Sequence, residues 1–175
     1  MFKRLTILIT MLLCAAAALA APAHLETHVP LARLAGHGPF TYFGINVYDA
    51  ELWVGEKGYQ PGQPFALELR YARKLDGVKI AEASADEMEK LGMGSTAQRN
   101  AWLALMKEIF PDVSQGSRIA GVFLPAGGVR FYLDGKPLAT VPDQEFAKAF
   151  FAIWLDPNTS AKKLRLALLR DAGPR

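Results

Sequence analysis

The chain has 175 residues, a formal net charge of +3, 51% hydrophobic residues and one cysteine. The single cysteine excludes an internal disulfide framework, and the longest basic run, Lys162-Lys163, is too short for the clustered positive face that nucleic acid requires. Lys3 and Arg4 are the only charges among the first 20 residues, so without that segment the net charge falls from +3 to +1.

Those 20 residues have the three-part layout of a secretory signal. Lys3 and Arg4 form a positive start, and Leu5 to Leu13 is apolar apart from Thr6 and Thr10. Ala18-Leu19-Ala20 then offers small residues where a signal peptidase reads. The run fades into alanine before it reaches the roughly 20 apolar residues of a membrane anchor. Met11-Leu12-Leu13 ahead of Cys14 lacks the small residues that precede a lipid-modified cysteine. The expectation is a signal peptide over 1–20, cleaved near Ala20 and carrying Cys14 away, with no stable membrane span afterwards. The remaining chain is expected to be periplasmic or secreted. Its 155 residues suffice for one domain with an ordinary core.

Residues 21–33 read as an N-terminal linker or edge strand, and 34–172 as the domain. Phe40 to Val54 is rich in aromatic and β-branched residues, which favours strand. Its parity changes: Phe43, Ile45 and Val47 share one face, then Ala50, Leu52 and Val54 the other. Either both faces are covered or a bulge near Asp49 switches the strand. After the Pro61-Gly62 turn, Phe65, Leu67, Leu69 and Tyr71 alternate with Glu68 and Arg70. A helix is expected over Ile80 to Leu91, stopped by Gly92 and Gly94. A second begins at Ser95 with a Gln98 capping box, buries Trp102 and Met106, and ends before Pro111. Strands follow at 118–124, 129–133 and 137–141, the last two joined by the Asp134-Gly135 turn. Helix returns from about Asp143 to Leu155, with Pro142 at a first-turn position, and Ser160 is expected to cap a short final helix. This order implies an α+β fold, an antiparallel sheet covered on one face by helices.

Several blocks resemble a known family. They are Leu34-Ala-Gly-His-Gly38, Phe43-Gly-Ile-Asn-Val-Tyr-Asp-Ala-Glu-Leu-Trp53, Leu69-Arg-Tyr71, Gly121-Val-Phe-Leu-Pro125 and Glu145 through Leu155. Together they resemble the bacterial chalcone isomerase-like proteins over about Leu34 to Leu169. The resemblance implies an open-faced β-sandwich, a large antiparallel sheet with a helical layer and a ligand cleft between them. It does not carry the isomerase chemistry. The plant enzymes use an arginine near the start of the long first strand and a threonine before the Gly-Ile-x-Val-Tyr block. Pro39 and Phe40 stand near the first place and Phe43 near the second. Of the tyrosine, lysine and asparagine that the plant enzymes carry on a helix, the stretch Glu87 to Gly94 offers only Lys90.

Cyclising a phenol onto an enone needs a group to hold the phenolate and a donor for the enolate. With those replaced, no catalytic residue is named, and a non-catalytic binder of an apolar or amphipathic small molecule is the expected function. Plant relatives of the fold bind fatty acids through an arginine and a tyrosine. Here Arg70, with Tyr42 or Tyr48, is the candidate set for such a ligand. The bland alternative is that Arg70 is solvated and the tyrosines pack the sheet. An isomerase acting on a chalcone-like substrate and an envelope protein-interaction domain without ligand are the competing classes.

No cofactor or metal is expected. His24, His28 and His37 lack a carboxylate cluster beyond Glu26, and Gly127-Gly128 is a turn rather than a phosphate loop. Asp86, Glu87 and Glu89 read as the solvated face of their helix.

Overall fold

The computed structural model describes residues 20–174; the expected signal peptide lies outside them, apart from Ala20. Six strands form one antiparallel sheet in simple sequential order: β1 (Arg33–Tyr42), β2 (Ile45–Val54), β3 (Phe65–Tyr71), β4 (Arg118–Leu124), β5 (Gly128–Leu133) and β6 (Lys136–Val141). A short helix, α1 (Ala23–Glu26), precedes the sheet. Between β3 and β4 lie α2 (Gly77–Lys90) and α3 (Thr96–Ile109); α4 (Gln144–Leu155) and α5 (Lys162–Leu168) follow β6. The α+β expectation holds.

The expected single strand over 40–54 is a hairpin. Phe43 and Gly44 both take left-handed backbone conformations, φ 48° and 75°, and reverse the chain between β1 and β2. Tyr48 pairs with Phe40 but Asn46 with Thr41, so Val47 is the extra residue of a bulge. That bulge lies two residues from Asp49 and accounts for the change of parity. Both faces are also covered farther along. Ala50, Leu52 and Val54 enter the helical core, while Trp53 is buried on the opposite face.

Helix α4 is the spine of the helical layer. Its face carries Phe146, Phe150, Phe151 and Trp154 against Phe65, Phe110 and Phe131 from the sheet and the α3 terminus. Ring centroids 4.8 and 5.1 Å apart in edge-on geometry mark the tight Phe65–Phe151 and Phe131–Phe150 contacts. Helix α3 opens with both reciprocal bonds of the Ser95–Gln98 capping box. Asp143, rather than Pro142, sits at the α4 boundary, its Oδ1 accepting from the Glu145 and Phe146 amides. Ser160 does not cap α5; its hydroxyl donates to Glu87 Oε2 at 2.6 Å instead, and Ala161 holds the cap position.

Helix α2 begins three residues earlier than expected. A Cβ at Gly77 would stand 2.1 Å from the Phe110 carbonyl oxygen, so only glycine lets this turn approach the end of α3. The Gly77 amide donates to Asp112 Oδ1 at 2.9 Å, fastening the same junction.

Residues 21–32 differ from the expected linker or edge strand. They form α1 and a following turn, and bury Leu25 and Val29 completely against Trp53, Ala66, Ala120 and Val122 on the outer sheet face. Small residues in β3 and β4 leave the room that this segment fills. The edge strand starts only at Arg33. Among the described residues no helix is long and apolar enough to cross a membrane.

Candidate functional site

The helical layer does not close over the whole sheet. A cavity of about 560 Å³ remains between the β1–β2 hairpin, one face of α2 and the end of α4. That volume lies within the roughly 300–1,000 Å³ of small-molecule sites, and dense protein interiors leave few voids larger than a water. Its floor is aromatic and aliphatic: Leu69, Tyr71, Phe110, Ile119, Phe150 and Trp154. Its mouth is formed by Tyr42, Phe43 and Ile45 on one side and by Arg73, Lys79 and Lys90 on the other.

Two phenols supply the polarity of the interior. Trp154 Nε1 donates to the Tyr48 hydroxyl at 2.9 Å. The Tyr71 ring meets Tyr48 edge-on at 5.9 Å, and among the described residues nothing hydrogen-bonds its hydroxyl. Burial pushes the Tyr48 phenol well up, only partly offset by the Trp154 N–H, and burial with the neighbouring Tyr48 raises Tyr71 likewise. Both therefore remain protonated donors at any physiological pH. The Tyr71 hydroxyl keeps some exposure to the cavity, where an arriving acceptor can take its hydrogen bond.

The mouth is charged but mostly self-neutralised. Lys79 pairs with Glu82 at 2.9 Å and Lys90 with Glu87 at 2.7 Å. Partial burial alone would raise the Glu87 carboxyl, but the hydrogen bonds from Lys90 and Ser160 prevail and hold it below its ordinary range. Arg73 differs: it is exposed on the rim, and no described carboxylate pairs with it. Asp86 and Glu87, expected on a solvated helix face, both line the cavity.

The structure separates the residues that sequence reading had grouped. Tyr48 and Tyr42 both line the cavity, the first half-buried within it and the second 63% exposed at its mouth. Arg70 does not reach it. The strict alternation of β3 sends Tyr71 inward and Arg70 to the outer face, where its guanidinium lies 3.7 Å from Asp49 with 58% of the side chain exposed. Two residues beyond Tyr71, Arg73 returns to the cavity side. The histidines lie apart from this site: His28 Nε2 shares a 2.7 Å hydrogen bond with the Tyr132 hydroxyl, and His24 packs 5.0 Å from the Tyr132 ring, 3.6 Å from Glu68. Lys90, the lone basic residue expected on the helix beside the cleft, is on the rim.

Comparison with known proteins agrees with this architecture. The chalcone isomerase-like family matches residues 20–170, which is nearly all of the described chain. The chain belongs to the chalcone isomerase-like family. A relative in this family, an uncharacterized protein of Haemophilus influenzae, is 32% identical over 137 residues, covering 77% of this chain and 66% of its own, just under two thirds. The crystal structure of an Arabidopsis thaliana fatty-acid binding protein superposes with a TM-score of 0.63 at 14% identity, covering 82% of this chain and 89% of that one. At that identity the likeness shows the chalcone isomerase-like fold and no more.

Proposed function

We propose that this chain is a non-catalytic binding protein for an amphipathic small molecule with an apolar tail and an anionic or acceptor head, such as a fatty acid. The observation that carries this reading is the 560 Å³ cavity with an apolar floor and a guanidinium on its rim that no described carboxylate neutralises. An apolar tail fits the Leu69, Phe110 and Phe150 floor. Arg73 replaces Arg70 as the cation for a carboxylate, and the Tyr48 and Tyr71 hydroxyls supply donors deeper in. A charge-assisted pair of this kind gives orientation as well as affinity. The Arabidopsis neighbour, described as a fatty-acid binding protein, supports this ligand class. Against catalysis stands the aromatic Phe40 at the wall, near the place where the plant enzymes carry an arginine. The apparent secretory signal in residues 1–20 supports a periplasmic or secreted binder.

The deciding measurement is native mass spectrometry of protein purified from its own cells, followed by organic extraction. A reproducible bound lipid is expected; a clean unliganded mass in repeated preparations sinks the reading. For the head group, palmitate titration should weaken by about tenfold or more in Arg73→Ala, on the scale of a lost charged hydrogen bond. Arg70→Ala, on the other face of the sheet, should bind palmitate as the unmodified chain does.

A further inference from the structure

We propose that the tip of the β1–β2 hairpin is a membrane-docking element that seats the cavity mouth against the headgroup region of an anionic phospholipid bilayer. The chain contains its own control for this. Both two-residue reversals, Phe43-Gly44 and Asp134-Gly135, hold their first residue left-handed, at φ 48° and 49°. That conformation crowds a Cβ, and asparagine, aspartate and glycine tolerate it best. The β5–β6 turn uses the tolerated aspartate. The β1–β2 turn uses phenylalanine, and folding does not reward the choice, because Phe43 is 88% exposed. A residue that the turn disfavours and the core does not use points to a role outside the folded chain.

Its neighbours extend the surface. Tyr42 contacts Phe43 edge-on at 4.6 Å and is itself largely exposed, and Ile45 follows at 48%. Val78, also exposed, precedes Lys79 at the start of α2. The three tip residues share the cavity mouth with Arg73, Lys79 and Lys90, against Asp86 and Glu87. Lys79 pairs with Glu82 and Lys90 with Glu87, so among the described residues of the mouth Arg73, which no described acid pairs with, is the cation left for a lipid phosphate. Aromatic side chains flanked by cations suit the bilayer interface, where rings sit among headgroups and basic side chains meet lipid phosphates. The occupant is therefore a bilayer surface. Docking there would open the cavity directly onto the reservoir in which an apolar ligand dissolves. That purpose rests on the cavity being a ligand site; the exposed tip itself does not.

The test uses the unmodified chain, Phe43→Ser and Phe43→Trp, each purified from cells in its naturally processed form. Flotation with phosphatidylglycerol-containing vesicles should recover the unmodified chain and about tenfold less of Phe43→Ser, the scale set by removing one phenyl from an apolar contact. Phe43→Trp should gain fluorescence that shallow brominated phosphatidylglycerol quenches, above the background of the buried native tryptophans. Equal flotation of Phe43→Ser, absence of flotation by the unmodified chain, or an unquenched Phe43→Trp overturns docking. Should Phe43→Ser instead lose affinity for soluble octanoate while floating as before, the tip is a cover for the cavity and docking is wrong. Flotation that depends on Phe43 in protein that binds no lipid leaves docking standing and removes the cavity reading alone.

Discussion

The two faces of the sheet solve the same burial problem in opposite ways. The outer face is covered around Trp53, where the small residues Ala66 and Ala120 accept Leu25 and Val29 from the N-terminal segment, while Arg70, Arg118 and Arg130 on the same face stay in water. The inner face carries far larger side chains and a whole helical layer, yet stops short of the hairpin and leaves a cavity. The gap is walled by apolar side chains from both layers, Leu69 and Ile119 from the sheet and Phe150 and Trp154 from α4.

Replacing side chains on the two faces should expose the difference. The largest effect belongs outside: Trp53→Ala removes a fully buried indole and should cost about 3–5 kcal/mol in urea unfolding, without touching the cavity. Tyr48→Phe, inside, leaves the buried Trp154 N–H without its acceptor and should cost about 1–3 kcal/mol. Tyr71→Phe removes a hydroxyl that bonds nothing in the folded chain, so stability should move by less than about 0.5 kcal/mol while palmitate affinity falls. If Tyr71→Phe proves as damaging as Tyr48→Phe, the inner face is packed for stability as the outer one is.

The smallest effect is pH-dependent and returns to the outer face. Burial first, and Arg130 second, hold His28 below its ordinary 6.5. Tyr132 bonds it, while His24 and Glu68 pack on the same covering. A depressed histidine binds its proton more weakly when folded than unfolded. The stability from neutral His28 is therefore complete above 6.5 and declines as pH falls through that value toward the lower folded one. Urea midpoints at pH 7.5 and 5.5 should show a small loss that His28→Gln reduces; an unchanged difference would mean His28 plays no part.

Local rules brought much of this within reach of the sequence. The period of two in Phe65–Tyr71, the Ser95–Gln98 box and the Asp134-Gly135 turn each reappear in the structure, because each depends on near neighbours. What depended on distant contacts did not come through. The Phe43-Gly44 turn lacks the usual first residue, so strand-rich sequence on both sides looked continuous. The N-terminal segment is helical for only four residues and is fixed by a sheet face assembled from β2 to β5. Tyr42 and Tyr48 line the cavity; Arg70 does not, and its parity with Tyr71 in β3 already opposes the two. Knowing that Tyr71 faces inward turns the same alternation into a pointer to Arg73.

The last turn of the chain also governs how this protein behaves in company. The Asp171 amide donates to the Ala35 carbonyl at 2.8 Å, Arg33 reaches the Asp171 and Gly173 carbonyls, and α5 presses so close that a Cβ on Gly36 would stand 2.0 Å from the Ala167 oxygen. Strand β1 is the first at its edge of the sheet, and this cover engages the Ala35 ladder carbonyl and blocks the approach at Gly36, where a foreign strand would otherwise pair. A chain cut after Leu168 would free the Ala35 carbonyl, and concentration-dependent self-association would be its first symptom.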